Sequence, residues 1–352
     1  MDCQNPHSPG PLRLLSRLFC AAFIALGVSA RANVVTFEEV TLALPDGAGA
    51  LAGTLAHVQD GDTVVLMVAG SGPTDRDGNQ PHLKNDSLRQ VAEGLASLGV
   101  STLRYDKRGA GHSVVRNLRE DDVQLQTYAG DVERWVARLR EQGRFQRIGI
   151  LGHSEGGLVA TLVAQKLAVD FVMLLEAPGR PFDEVLKAQL ARKLPEEQAR
   201  SAASIIDSLK AGRPVADVPD TLRSVFRPSL QPYWASMFAQ EPADLVARLS
   251  MPLLILQGDQ DLQVDIGDAA RLAAARPSAS ACLVRGMNHV LKHVEKPADQ
   301  NRAYTDPSVP LSTEVLRDMA LFLKTLNQDS VHAAKGAFAC PVRIADAVQA
   351  GR

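Results

Sequence analysis

The order of apolar and polar positions predicts a chain in which strands and helices alternate. Two strands, 34–44 and 51–58, are separated by the turn-forming residues Pro-Asp-Gly at 45–47. The continuously apolar run 63–69 is typical of a parallel strand that is buried on both faces. Apolar residues at helical spacing then alternate with short strands at 101–105, 148–151 and 171–175. This alternation favours a mostly parallel central sheet flanked by helices.

The alternation stops between residues 180 and 250, where no strand is evident. Apolar residues recur there at helical spacing, and several prolines divide the segment into short helices. We therefore expect 180–250 to be a helical cap inserted into one core, which comprises 33–179 and 251–327 and precedes a loosely attached tail, 328–352. Four aromatic residues of the insertion could line an acyl pocket or simply pack the cap on the core: Phe226, Tyr233, Trp234 and Phe238.

The first 32 residues have the three-part layout of a secretory signal peptide. Arg13 and Arg17 precede an apolar run, 18–28, and Ala30-Arg31-Ala32 follows as a small-residue cleavage site. The run is shorter than the roughly 20 residues that a membrane-spanning helix needs, so an uncleaved anchor is the less favoured alternative. We expect cleavage near Ala32 and a periplasmic or secreted protein with no membrane association beyond export.

Charge and cysteine content narrow the classes of partner. The formal net charge is −2 over 352 residues, which gives no sign of a basic nucleic-acid-binding face. We accordingly expect no nucleic-acid partner. Of the four cysteines, only Cys282 and Cys340 lie beyond the predicted leader. In an oxidising compartment these two could form a disulfide, or they could remain separate buried thiols.

Residues 152–157, Gly-His-Ser-Glu-Gly-Gly, carry the most informative chemistry. They follow the apolar strand 148–151 and precede a helical pattern, so Ser154 stands at the apex of a strand-turn-helix elbow. Glycines without a Cβ allow a strained backbone and a close approach of strand and helix. A serine hydroxyl needs exposure, an adjacent base and donors for the oxyanion before it can act as a nucleophile. Ser154 is therefore the candidate nucleophile, and the backbone N–H of Glu155 is one candidate oxyanion donor.

A carboxylate and an imidazole follow in the chain order that such an elbow requires. His289 comes after the strand at 281–284, and Asp259 and Asp261 come after the strand before it. Either aspartate could reach the imidazole; we favour Asp261 because it lies further around the turn, which leaves Asp259 to cap that turn. His289 and His293 at i and i+4 could also suggest a metal site, but neither a third ligand nor an intervening Glu is evident.

The loop after the first buried strand is the expected source of a second oxyanion donor. It reads Gly-Ser-Gly-Pro from residue 70, and its glycines allow backbone N–H groups to face a ligand. Because Pro73 has no N–H, Ser71 or Gly72 must donate.

A charged segment, 105–113, follows the next strand. Its Asp106 and Arg108 could hold neighbouring loops by pairing, and the segment could shape the rim of a pocket. We interpret it as a structural turn with a solvated ion pair.

Five segments together resemble bacterial α/β-hydrolase esterases of the EstD-like type: 70–79, 105–113, 152–157, 258–264 and 288–292. The resemblance implies an α/β-hydrolase that cleaves carboxylic esters. We expect esters of short to medium acyl chain as substrates, and no metal or organic cofactor. It also implies a triad of Ser154, Asp261 and His289, and so favours Asp261 over Asp259. A peptidase, amidase or thioesterase on the same triad, or a non-catalytic exported binding protein, remains an alternative.

Overall fold

The computed structural model describes residues 33–328 and 338–350. The predicted leader, 1–32, lies outside them. The strands are β1 (Val35–Ala43), β2 (Gly49–Val58), β3 (Thr63–Val68), β4 (Ser101–Tyr105), β5 (Val114–Val115), β6 (Arg147–His153), β7 (Phe171–Leu175), β8 (Leu253–Gly258) and β9 (Ser280–Val284). The helices are α1 (Ser87–Ser97), α2 (Leu125–Glu141), α3 (Glu155–Lys166), α4 (Phe182–Lys193), α5 (Glu196–Lys210), α6 (Arg223–Phe226), α7 (Gln231–Phe238), α8 (Pro242–Ala247), α9 (Ile266–Ala275), α10 (Asp299–Thr305), α11 (Thr313–Gln328) and α12 (Ile344–Gln349).

The strands form one sheet in the order β1-β2-β4-β3-β6-β7-β8-β9, with β5 paired to β2. β1 and β2 are antiparallel to their neighbours, and every pair from β4 to β9 is parallel. Because parallel strands end at the same edge, the loops that follow β3, β6, β7, β8 and β9 meet there. The predicted site residues occupy these loops.

Burial on both faces explains the continuous apolar runs. All residues of β3 and β8 are buried. Alternate side chains of β3 belong to different apolar clusters, because successive residues of a strand point to opposite faces. Val64 and Leu66 pack with residues of α2 and α3, whereas Val65 and Met67 pack with residues of α1 and α11. The sheet is therefore covered by helices on both sides.

Five helices, α4 to α8, lie between β7 and β8 and form the segment expected as a cap. Trp234 stacks on Phe182 and on Phe238, with ring centroids 6.0 and 5.7 Å apart. Phe226 and Phe238 are buried in the same cluster. These rings pack the helices together. Of the two roles considered for them, lining an acyl pocket and packing the cap, the structure shows the packing role.

The end of the chain is attached more firmly than expected. Cys282 of β9 and Cys340 form a disulfide, and Ile344 and Ala347 of α12 are buried in the core. The expectation of a loose tail is therefore wrong for residues 338–350, because a six-residue helix offers too short an apolar stripe to be recognised by periodicity. None of the helices in the described residues is long and apolar enough to cross a membrane.

Candidate active site

Ser154 occupies a strained turn between β6 and α3. Its φ of 55° and ψ of −124° lie outside the regions that non-glycine residues normally adopt. The chain packs so closely there that a Cβ on Gly156 would lie 2.2 Å from the carbonyl oxygen of Val68. A Cβ on Gly152 would lie 2.2 Å from the carbonyl oxygen of Gly156. Only glycine fits these two positions, so the sequence pattern is explained by the turn itself.

The loop after β3 lies against the elbow. A Cβ on Gly70 would be 3.2 Å from the Cβ of Ser154. The loop is held partly by Gln80, whose Nε2 donates to the carbonyl oxygen of Ser71 at 2.8 Å. In the described part of the chain, the N–H groups of Ser71 and Gly72 donate to no other backbone group. They therefore stay candidate donors to a substrate oxygen.

Glu155 supplies a third such donor. It is the first residue of α3, so its N–H has no acceptor within the helix. The N-terminus of a helix also carries a partial positive charge that favours an anion. The N–H groups of Glu155, Ser71 and Gly72 therefore stay the candidate oxyanion donors.

His289 and Asp261 are hydrogen-bonded through Nδ1 and Oδ2 at 2.7 Å. The other carboxylate oxygen of Asp261 accepts the N–H groups of Gln263 and Val264 at 2.6 and 3.1 Å. Asp259 instead accepts the N–H of Gly286 at 2.7 Å. The structure thus brings Asp261 to the imidazole and leaves Asp259 as a turn-capping residue.

The surroundings of Asp261 favour its ionised form. Burial by itself would raise the pKa of this carboxyl, but the His289 ring and hydrogen bonds from Glu176 and Gln263 outweigh it. Its pKa therefore lies below the ordinary value. An ionised carboxylate at Nδ1 fixes the imidazole tautomer that leaves Nε2 free to accept a proton.

His153, interpreted from the sequence as a packing residue, also contacts the base. Its Nε2 lies 2.7 Å from the carbonyl oxygen of His289, and the ring centroids are 4.9 Å apart. Burial, and then the proximity of His289, lower the pKa of His153 to about 4. The ring is therefore neutral at physiological pH, and Nε2 must carry the proton that it donates to that carbonyl group.

Glu176, directly after β7, was not singled out by sequence reasoning. The side chain is 0% exposed and hydrogen-bonds to Asp261, and its Oε1 accepts the N–H of Gly258 at 2.8 Å. Burial, and then the charge of Asp261, raise the pKa of Glu176 well above its ordinary value. A protonated Glu176 donates to the carboxylate of Asp261. The signal available in the sequence was a polar residue directly after an apolar strand, and the structure adds a left-handed φ of 50° at this position.

One contact that a serine nucleophile requires is not formed in the structure. Among the described residues, the hydroxyl of Ser154 makes no hydrogen bond to the His289 ring; such catalytic bonds often tighten only when substrate binds.

His293 packs against Gly286, where a Cβ would lie 2.3 Å from its ring. No group of three or more His, Cys, Asp or Glu in the described residues is arranged to hold a metal ion.

The charged segment after β4 pairs differently from the expectation. Asp106 binds the guanidinium of Arg76 at 2.8 Å, and both side chains are buried. Arg108 binds Asp131 of α2 at 2.6 Å. Asp106 and Arg108 therefore each hold a different segment of the chain by pairing, and the expected solvated ion pair is wrong, because the buried Arg76 and Asp131, both distant in sequence, supply the countercharges.

A mostly parallel sheet with a glycine-flanked serine elbow after β6 and a histidine loop after β9 defines the α/β hydrolases, and the predicted fold is confirmed. A family model described as serine aminopeptidase, S33, matches residues 84–295. This is more than half of the chain, which therefore belongs to that family of hydrolases.

The sequence identity to individual proteins is low. Esterase EstD of Thermotoga maritima is 25% identical over 240 residues, which cover 64% of this chain and 54% of the relative. The chain thus spans about half the length of that relative. Est1E of Butyrivibrio proteoclasticus, solved with ferulic acid bound, superposes with a TM-score of 0.56 at 18% identity, covering 82% of this chain and 99% of Est1E. A putative lipase of Acinetobacter baumannii superposes with a TM-score of 0.54 at 17% identity, covering 83% and 93%. At these identities, the two structures show the shared fold alone.

Proposed function

We propose that the protein is a serine esterase that hydrolyses carboxylic esters of short to medium acyl chain. The observation that carries the proposal is the 2.7 Å bond between His289 Nδ1 and Asp261 Oδ2, at the same sheet edge as the strained elbow of Ser154. An imidazole that is oriented by a carboxylate has no structural need to lie at the same sheet edge as a strained serine turn, but acyl transfer requires both. The name of the relative matched in sequence, an esterase, supports the same chemistry.

In the proposed reaction, the Ser154 hydroxyl attacks the ester carbonyl carbon while His289 Nε2 takes the hydroxyl proton. The carbonyl π electrons move to the oxygen, which the N–H groups of Glu155 and of Ser71 or Gly72 stabilise. Collapse of the tetrahedral intermediate breaks the bond to the alkoxy group, and the imidazolium returns the proton to that leaving group. Asp261 stabilises the imidazolium without taking its proton.

Water then completes the cycle by the same steps in reverse order. His289 removes a proton from water as the oxygen attacks the acyl-enzyme carbonyl carbon, and the carboxylic acid leaves as Ser154 regains its hydrogen. Every proton is exchanged within the site, so the proposed chemistry needs no cofactor. The mature protein is proposed to act outside the cytoplasm, on the evidence of the leader pattern in 1–32.

The test is a series of acyl nitrophenyl esters of increasing chain length, assayed with wild type, Ser154→Ala and Ser97→Ala. Ser97 is an exposed serine at the end of α1 and serves as the matched control. We expect Ser154→Ala to lose about 10⁴-fold or more in kcat, and Ser97→Ala to lose nothing. A fluorophosphonate probe should label wild type at Ser154 alone. Unchanged hydrolysis by Ser154→Ala would exclude the proposal.

A peptidase is the second candidate, because the matching family is described as serine aminopeptidase. Esters and amides share the triad and the oxyanion hole, so the pocket alone selects between them. Aminoacyl anilides assayed beside the esters separate the two candidates. A higher kcat/KM for an anilide than for every ester would identify a peptidase, while probe labelling of Ser154 would be the same in both cases.

A further inference from the structure

A buried cluster beside the elbow is not used by the proposed mechanism. It consists of Glu155, Lys107, Tyr233 and Tyr128, which come from α3, the loop after β4, α7 and α2. The side chain of Glu155 is 0% exposed, and that of Lys107 is 3% exposed. A buried carboxylate is stable only when it is paired and hydrogen-bonded. The groups that pair with the Glu155 side chain can therefore affect the position of its backbone N–H, which is a candidate oxyanion donor.

Lys107 joins the two halves of the candidate oxyanion hole. Its Nζ lies 3.0 Å from Glu155 Oε1 and 3.0 Å from the carbonyl oxygen of Gly70, the residue before Ser71. It also lies 4.0 Å from the centroid of the Tyr128 ring. Burial lowers the pKa of Lys107, but the attraction of Glu155 outweighs it, so the ammonium is charged. One cation thus holds both the elbow and the loop after β3.

Tyr233 brings the cap segment into the same cluster. Its hydroxyl donates to Glu155 Oε2. The neighbouring residue, Trp234, packs against Tyr233 with ring centroids 5.1 Å apart. Because Trp234 belongs to the aromatic packing of α7, the position of this helix is tied to the oxyanion hole.

We infer that Lys107 and Tyr233 are positioning residues that hold the oxyanion hole through Glu155, so that α7 must be docked for full catalysis. The inference rests on the proposed acyl-transfer function. Two effects are combined. Lys107 cancels the charge of Glu155, which would otherwise oppose the negative charge on the oxyanion. The hydrogen bonds to Glu155 and Gly70 also fix the backbone on both sides of that oxygen.

The test is a double-mutant cycle on Lys107→Met and Glu155→Gln, with Tyr233→Phe as a conservative variant. Rates are normalised to the fraction of sites that a fluorophosphonate labels. We expect each single change at Lys107 or Glu155 to lower kcat about 10²-fold, the typical cost of one misplaced oxyanion donor, and to change KM less than about threefold. The double variant should recover to within about tenfold of wild type, because neither buried charge is then left alone.

Tyr233→Phe keeps the ring and removes only the hydroxyl, so we expect a folded protein with kcat about tenfold lower. Arg108→Met is the matched control, since it removes a second cation from the same segment. The Arg108 side chain is 13% exposed and is bound to Asp131. It should lower the melting temperature and leave normalised kcat unchanged. A boronic acid that mimics the tetrahedral intermediate should bind Tyr233→Phe more weakly in proportion to the loss in kcat.

Independent, multiplicative effects of Lys107→Met and Glu155→Gln would overturn the inference, as would a Tyr233→Phe variant within twofold of wild type. Failure of the proposed function gives a different result, because wild type itself would neither cleave esters nor react with the probe, and both proposals would then fall together.

Discussion

Glu155 and Glu176 are both fully buried next to the candidate catalytic residues, yet their surroundings leave one ionised and the other protonated. Glu155 faces the ammonium of Lys107 at 3.0 Å and forms an ion pair. Glu176 faces the carboxylate of Asp261, and burial together with that charge raises its pKa well above the ordinary value. The partner, rather than the residue type, decides whether a buried carboxyl is an acceptor of hydrogen bonds or a donor.

The difference also separates the two sides of the site. On the oxyanion side, a cation neutralises the acid, so the site carries fixed dipoles and no net charge from this pair. On the triad side, two carboxyls share one negative charge, which would stabilise the imidazolium of the proposed acyl transfer. Changing Glu to Gln should therefore be damaging on the first side and mild on the second.

Among changes to the carboxyl groups of the site, the largest effect is expected from Asp261→Asn, which removes the charge from the triad side. We expect kcat to fall about 10⁴-fold, because the imidazole loses its tautomer control. Glu176 should not compensate, since its hydrogen bond is to Asp261. Asp259→Asn is the control, because its remaining amide oxygen can still accept the N–H of Gly286. Steady-state kinetics with a nitrophenyl ester measure both variants, and a greater loss in Asp259→Asn would reverse the assignment of the acid.

The comparison of the two glutamates is tested directly by Glu155→Gln and Glu176→Gln. Glu155→Gln leaves Lys107 as an unpaired buried charge, so we expect the free energy of unfolding to fall by about 3–5 kcal/mol. Glu176→Gln keeps a neutral group that can donate to Asp261, and should cost only about 1 kcal/mol. Urea denaturation at neutral pH measures both values. Equal losses would show that the two carboxyls have the same charge state.

His153 provides a test by pH, because its ring is neutral beside His289 in the folded protein. The pKa of about 4 in the folded protein lies below the ordinary 6.5, so the unfolded chain binds the proton first as the pH falls. Stability from this group is complete above pH 6.5 and is lost as the pH falls towards 4, by about 3 kcal/mol in total.

His153→Gln is the informative variant, because its amide can still donate to the His289 carbonyl group. Urea denaturation of wild type and His153→Gln at pH 7 and pH 4.5 measures the difference. We expect the variant to lose less stability between these values. Parallel losses would mean that His153 does not titrate in this range.

The smallest effect is expected from Glu176→Leu, which removes the donor to Asp261. Asp261 then attracts the imidazolium proton more strongly, so the acidic limb of the kcat/KM profile should move to higher pH. We expect kcat/KM at neutral pH to fall about tenfold, the value of one hydrogen bond to a charged group. Glu176→Gln should keep the profile of wild type. A shift to lower pH in Glu176→Gln would indicate that Glu176 is ionised in the wild-type site.

Local sequence determined the sheet and the elbow of this protein. Continuous apolar runs predict buried parallel strands because such strands have no polar face, and glycines at 152 and 156 predict a turn too tight for a Cβ. The order of Ser154, Asp261 and His289 follows from the same topology, because each comes after a parallel strand and such strands end at one edge. These features depend on neighbouring residues, so periodicity and motifs reveal them.

Only the tertiary structure decided which groups meet across long separations. It places Asp261 rather than Asp259 at His289, Glu176 at Asp261, and Tyr233 of the cap segment at Glu155, 78 residues away. It also pairs Asp106 and Arg108 with different partners and joins Cys282 to Cys340. No local pattern specifies these contacts, because they depend on the distance and burial that packing creates, and burial is what sets the charge of each acid.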